Sequence, residues 1–233
     1  MYPGVITAPM HYENPVTGKP VFVPRRQAPR AATVSAGILA GRLARLEDAR
    51  AIEYLHNAYA YYLDRWQWDA VADLFADSGT IEYAQRGVYV GKARVRQSLE
   101  LFGSQGLHQG ELFDHLQYQP VVHVAADGNS AKARVREFSM EGKYGVDASL
   151  GGGIYENEYV KENGVWKIKT LHLYTTFIAD LEKGWSQGPR PAPGADATLR
   201  PDRPPSVRYQ SFPIYYMAPF HYPHPVTGLA VVD

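Results

Sequence analysis

The chain contains no cysteine. Disulfides, thiolate metal ligands and a cysteine nucleophile are therefore excluded, and the redox compartment stays open. Net charge is also lacking, because 24 Lys and Arg balance 24 Asp and Glu. No basic field exists to draw the chain to nucleic acid or to an anionic membrane. No apolar run approaches the roughly 18 residues of a membrane span. The opening residues, MYPGVITAPMHYENPVTG, lack the basic-then-apolar order of a secretion signal, so the expectation is a soluble, cytoplasmic protein. Two chemical motifs are missing as well. Gly151-Gly152-Gly153 precedes a strand-like run instead of a helix and so is no phosphate loop. No G-x-S-x-G nucleophile elbow occurs.

What the chain does have is a 45% apolar content, enough for a core, and seventeen tyrosines in 233 residues. So many tyrosines suit aromatic recognition or extensive interfaces, since each combines a large ring with a polar tip. The length fits one ordinary domain with extensions. Prolines 3, 9, 15, 20, 24 and 29 forbid a long helix at the start, so residues 1–37 read as an extended arm. The far end mirrors it: Ala8-Pro9-Met10-His11-Tyr12-Glu13-Asn14-Pro15-Val16-Thr17-Gly18 recurs as Ala218-Pro219-Phe220-His221-Tyr222-Pro223-His224-Pro225-Val226-Thr227-Gly228. Residues 186–206 are rich in Pro, Gly and Arg and read as a linker, so 186–233 is a second arm. Arms this short cannot fold alone and must lie on the core or on a neighbouring subunit. Two equivalent arms around a single core point to a homo-oligomer in which arms are exchanged. His11, His221 and His224 are either polar residues of docked aromatic arms or metal ligands; with no acidic cluster beside them, no metal site is assigned.

The core, 38–185, opens with an amphipathic helix. Leu46, Ala49, Ile52, Leu55, Tyr59, Tyr62, Leu63 and Trp66 recur at steps of three and four. A short helix with Val71, Leu74 and Phe75 follows, Asp77-Ser78-Gly79 breaks it, and Thr80–Tyr83 begins a strand. Val88 and Tyr89 form a short strand and Lys92–Phe102 a helix. Four strand-like runs then arrive in succession: 111–125, where Pro120 marks a bulge or an edge strand, 130–144, 153–162 and 165–177. Asp127-Gly128 and Asn163-Gly164 are hairpin turns, and Gly145–Gly152 reads as a flexible turn. Helices first and hairpin-joined strands afterwards mean α+β, with helices packed on a curved antiparallel sheet that encloses a conical cavity.

This order of elements resembles the SnoaL-like branch of the nuclear-transport-factor-2-like (NTF2-like) superfamily, a cone-shaped fold. The resemblance covers about 39–185 and is carried by Trp68-Asp69 with Leu74-Phe75, Ile81-Glu82-Tyr83 and Asn163-Gly164-Val165-Trp166-Lys167-Ile168. Such motifs specify fold better than reaction. Within the superfamily the chain is similar to the cofactor-free dehydratases, scytalone dehydratase and the bile-acid dehydratases. That similarity implies a catalytic set of Tyr59, Asp64, Tyr83 and His115, with no metal and no cofactor. It departs from scytalone dehydratase at Leu63, where a tyrosine is expected, at Glu141, near a second histidine, and at Tyr155, near a pocket asparagine. Bacterial relatives in this fold include enzymes that remove water or formaldehyde from lignin-derived two-ring compounds, so the implied partner is a small aromatic substrate. The fold also hosts non-catalytic assembly subunits, such as the small subunits of ring-hydroxylating dioxygenases.

The chemistry is coherent with those residue types. Removing water, or cleaving a carbon–carbon bond beside an oxygenated ring, needs a base for one proton and donors for the departing oxygen. Histidine suits the base, a neighbouring carboxylate orients it, and tyrosines donate in an apolar cavity. Further candidates for substrate contact follow from position. Glu137, Ser139 and Glu141 continue the face of Ala131, Ala133 and Val135. His172 shares a strand with Trp166, Ile168, Tyr174 and Thr176 in alternating register, as a core histidine or a second acid–base group. Arg86 and His108 fall in loops at the expected rim, while Lys132, Arg134 and Arg136 read as a solvated strand face.

Overall fold

The structure, a computed structural model, describes residues 34–232. The chain divides into two compact units, 1–41 and 42–233. Of the first, only 34–41 are described; they enter helix α1 (Ala36–Leu63), where Ser35 Oγ accepts a 3.4 Å hydrogen bond from Ile38 N. The second unit runs without division to the C-terminus, so the core and residues 186–233 belong together.

The apolar stripe of α1 is narrower than its leucines predict. Leu46 is 69% exposed, and burial begins at Ile52 and continues through His56, Tyr59, Ala60 and Leu63. Asp48 ties the solvated half of the helix to the sheet. Its Oδ1 accepts from Lys161 Nζ at 2.6 Å and Trp166 Nε1 at 2.8 Å. Helix α2 (Trp68–Asp73) follows, then β1 (Phe75–Tyr83), β2 (Val88–Val90), α3 (Lys92–Leu99) and the long strands β3 (Glu111–Val124), β4 (Ser130–Lys143), β5 (Asp147–Glu162) and β6 (Val165–Asp180). A short helix α4 (Gly184–Gln187) and strand β7 (Pro189–Arg190) complete the elements.

The strands form one sheet in the order β2-β1-β6-β5-β4-β3, with β7 beside β6. It is curved, as the sequence predicts, and unclosed, but mixed and not wholly antiparallel, because β1 pairs parallel to β6. That pairing joins strands about ninety positions apart and leaves no local sign in the sequence. Asp77-Ser78-Gly79 does not end a helix before a strand; it is an irregularity inside β1, where pairing slips between Phe75 and Thr80. A Cβ at Gly79 would lie 2.9 Å from Ala76 O and 3.0 Å from Ile168 O, so only glycine lets the strands approach there. The expected bulge at Pro120 is present, with pairing shifted between Tyr118 and Val121. Gly145–Gly152 is not a flexible turn throughout: β5 already begins at Asp147.

Alternation sorts the side chains. On β4, Ala131, Ala133, Val135, Glu137 and Ser139 point to the helix side and are buried. On the opposite face of the sheet, Arg134 is not solvated as its sequence position predicts. Its side chain is 13% exposed, paired with Glu156 at 2.5 Å and covered by the C-terminal segment, whose Ala218 and Pro219 carbonyls accept from its Nη1 at 3.2 Å. That segment also holds Thr175 N through Tyr209 Oη (2.8 Å) and the Glu82 carboxylate through Ser206 N and Oγ (2.8 and 2.7 Å). The N-terminal copy of the repeated motif lies outside the described residues.

Candidate active site

Asp64 is the first residue beyond α1, and its amide still bonds to Ala60 O at 2.9 Å. Two residues on, Trp66 adopts φ 52°, an uncommon conformation for a bulky side chain, and packs on Trp68. The reversal of the chain leaves Asp64 facing β3. One oxygen, Oδ1, accepts from the backbone N of His115 at 2.8 Å and lies 3.3 Å from its Nδ1. The carboxylate therefore fixes both the strand and the ring. The other ring nitrogen, Nε2, lies 3.6 Å from Glu141 Oε1 on β4. Phe113 packs against the imidazole with centroids 4.3 Å apart.

Burial alone would push the His115 pKa down. The hydrogen bonds to Asp64 and Glu141 and the charge of Glu137 outweigh it and hold it up at about 10. Its partner Glu141 feels the reverse: burial presses its carboxyl up, but His115 and Arg86 leave it below its ordinary range. Deeper in, Glu137 is buried and shifted upward, first by desolvation. Tyr155 Oη donates to Glu137 Oε2 at 2.5 Å, lies 3.3 Å from Tyr59 Oη, and Tyr59 in turn bonds Tyr83. Burial raises all three phenols, so they are neutral donors. The result is a chain of hydroxyls ending on one carboxyl, beside a charged imidazole held between two others.

Six of the ten candidate side chains thus come together: Tyr59, Asp64, Tyr83, His115, Glu141 and Tyr155. Arg86 joins them at one remove, its guanidinium 4.8 Å above the Phe102 ring, which packs on both Tyr83 and Phe113. Three do not join. His108 sits in an exposed loop, where it bonds Glu111 and meets the edge of Trp66 at 6.5 Å. His172 and Tyr174 are buried, but on the opposite face of the sheet. A slip in the β5–β6 pairing between Glu158 and Tyr159 changes which residues of β6 face inward, so Trp166 and Ile168 share the core with Leu171 and Leu173. His172 instead stacks on Tyr174 at 3.8 Å, and Tyr174 packs with Tyr209 of the C-terminal segment. Desolvation lowers the His172 pKa to about 4.

Sequence reasoning missed His56. It is 2% exposed and completes the buried row Ile52–His56–Tyr59–Leu63, so helical spacing alone marks it. Its Nε2 meets Gln117 Oε1 at 3.0 Å and its Nδ1 meets Tyr159 Oη and Asn157 Nδ2 at 3.3 Å. Burial lowers its pKa to about 4, so it is neutral and edges onto Tyr155. A cleft of about 770 Å³ at the open end of β3, β4 and β5 reaches the cluster at Glu141. Among the described residues no group of three or more His, Asp or Glu is spaced to hold a metal ion.

Comparison with known proteins agrees with this architecture. The SnoaL-like domain model matches residues 44–172, more than half of the chain, and the chain belongs to that family. Among solved structures it is similar to a protein of Novosphingobium aromaticivorans provisionally assigned as a scytalone dehydratase, with 22% identity and a TM-score of 0.55, covering 67% of this chain and 97% of that one. A type 2 hexachlorocyclohexane dehydrochlorinase aligns with 18% identity and a TM-score of 0.52, over 60% of this chain and 93% of that one. The type 3 enzyme of Novosphingobium barchaimii gives 20% and 0.52, over 60% and 94%. A search of curated proteins finds no match. The residues beyond 172, including the covering C-terminal segment, lie outside the family match.

Proposed function

We propose that the chain is a cofactor-independent lyase that eliminates water or formaldehyde from a hydroxylated aromatic compound, with lignin-derived two-ring diols as the substrate type. The observation that carries this reading is the clamp on His115: Asp64 Oδ1 binds its backbone N and Nδ1, which turns Nε2 toward Glu141. A pKa near 10 makes His115 an imidazolium at neutral pH, so it acts as the acid, and Glu141, ionised and reached by the open cleft, acts as the base. This reverses the role expected of the histidine from sequence.

The same two groups serve either elimination. In dehydration, Glu141 takes a proton from carbon, the electron pair forms the double bond, and the adjacent C–O bond breaks. The departing hydroxide leaves as water with the His115 proton. In loss of formaldehyde, Glu141 takes the proton of a hydroxymethyl group and its C–C bond breaks to release formaldehyde. The pair again forms the double bond and expels hydroxide to His115. Tyr83 and Tyr59 offer neutral hydroxyls to hold oxygens of the substrate, and Glu137 and Tyr155 complete their network. The names of the similar structures, a dehydratase and dehydrochlorinases, are those of eliminating enzymes and support the class. The competing reading, a non-catalytic assembly subunit, leaves the meeting of Tyr59, Asp64, Tyr83 and His115 without a purpose.

The test is to incubate purified protein, without added cofactor, with hydroxylated aromatic diols and to follow product masses. Loss of water, alone or together with formaldehyde, that depends on His115 is expected. No conversion across single-ring and two-ring diols favours the assembly subunit.

A further inference from the structure

Among the described residues, three buried side-chain polar atoms have no hydrogen-bond partner: Trp66 Nε1, Arg86 Nη1 and His172 Nε2. His172 lies on the far face of the sheet. The other two flank a single pair of rings. Arg86 lies over Phe102 at 4.8 Å, Trp66 meets Phe113 edge-on at 5.5 Å, and the two phenylalanines touch at 5.4 Å. Phe113 is also the ring against His115. Two unsatisfied donors therefore bracket an aromatic surface that abuts the candidate acid.

Arg86 is the more telling of the two. Arginine cannot shed its charge, and a guanidinium taken from water needs an anion or a full set of acceptors. The acids whose charge it feels are committed elsewhere. Glu141 faces His115, and Asp196 Oδ1 accepts from Thr198 N, Thr198 Oγ1 and Leu199 N at 2.7, 2.5 and 2.8 Å. Neither forms an ion pair with Arg86 among the described residues. The face of Phe102 attracts a cation but supplies no acceptor for an N–H. An anionic oxygen would pair the free Nη1, and a planar carboxylate matches the fork of a guanidinium.

We propose that Arg86 anchors a substrate carboxylate, so that the compound acted on is an aromatic acid whose ring lies against Phe102 and Phe113 with Trp66 Nε1 donating to a ring oxygen. This rests on the lyase reading of the Asp64–His115–Glu141 group and narrows its substrate class. It also gives the unpaired guanidinium nitrogen a partner, because the charge is matched when substrate is bound.

Benzoate and its uncharged isostere benzamide are the probes, titrated calorimetrically into the full-length chain. Wild type should bind benzoate at least about tenfold more tightly than benzamide, the scale of one charge-assisted pair. Arg86→Gln should erase that preference while melting no lower than wild type, because it removes a buried charge that nothing pairs. Arg86→Lys keeps the charge without the fork and should weaken benzoate several-fold, roughly the loss of one hydrogen bond. The proposal is overturned if wild type shows no preference for benzoate, if Arg86→Gln retains it, or if Arg86→Lys retains it undiminished. Should Arg86→Gln melt well below wild type, Arg86→Lys decides on the same criterion. Benzoate carries no leaving group, so its binding reads the anchor alone. A chain that binds benzoate through Arg86 but converts no diol refutes the lyase and leaves the anchor. A chain that converts diols but ignores benzoate refutes the anchor and leaves the lyase.

Discussion

Were burial the only influence, a histidine 6% exposed would be neutral. His115 is instead charged, because Asp64 and Glu141 occupy both ring nitrogens. Three predictions follow at the scale of this residue. In catalysis, His115→Ala should lower turnover on a converted diol by on the order of 100-fold, the contribution of one acid–base group. The kcat/KM profile should be flat from about pH 5 to about pH 9, falling at low pH as Glu141 protonates and at high pH as His115 passes about 10. A neutral imidazole acting as base would give the opposite alkaline limb, rising toward that pH, and such a profile would exchange the two roles. In stability, the folded-state pKa of about 10 stands above the ordinary 6.5. Its contribution is therefore complete below 6.5 and lost as pH rises through about 10. Urea midpoints of wild type and His115→Gln should converge over that interval; a constant gap would show that the imidazole is not charged in the folded chain.

At the scale of the element, β5 shows what glycine does in a sheet that bends. A Cβ on Gly153 would lie 2.6 Å from Leu173 Cδ1 and 2.9 Å from the backbone oxygen of Tyr174. Leu173 could turn away, but the carbonyl is fixed by the ladder. Gly153→Ala should cost about 1–3 kcal/mol in urea unfolding, the usual penalty of overpacking, and an unchanged midpoint would mean that the strands have room to part. The neighbouring β5–β6 turn was legible from Asn163-Gly164, both of which take positive φ, 52° and 80°. So were the alternation of β4 and the convergence of Tyr59, Asp64, Tyr83 and His115, since the first is periodic and the second was carried by family pattern. His172 and Tyr174 were misplaced because one slipped pair at Glu158/Tyr159 reverses the inward face of a strand whose own alternation looks regular. Gly151 and Gly152 read as a turn because conformational freedom and close packing ask for the same residue. The parallel β1–β6 pair was invisible for a different reason: its partners meet only through the tertiary fold.

At the scale of the whole molecule, the outer face of the sheet belongs to the C-terminal copy of the repeated motif. Ala218 is buried against Tyr174 and Tyr209, His221 Nδ1 meets Glu156 at 2.7 Å while its Nε2 meets His123 at 3.0 Å, and Tyr222 stacks on His123. These contacts are made by the residues that the two copies share, Ala-Pro-x-His-Tyr, and they are made on the same chain. The C-terminal copy is thus a cover on the outer face of the sheet, and the copy at residues 8–18 lies outside the described residues. The two deletions should separate accordingly. Removing 207–233 uncovers Tyr174, leaves Arg134 and Glu156 without their lid, and frees the Thr175 amide. It should lower the melting temperature by about 5 °C or more, the shift that a loss of roughly 2 kcal/mol produces in a chain of this size. Removing 1–30 should leave the melting temperature of the second unit unchanged and reduce a symmetric oligomer to smaller species. Sizing chromatography with light scattering decides the assembly question: a monomeric full-length chain, or an oligomer indifferent to loss of 1–30, means that the N-terminal copy does not join subunits. Thermal unfolding decides the other, because a 207–233 deletion that melts with the full-length chain would show that the outer face of the sheet is stable without its cover.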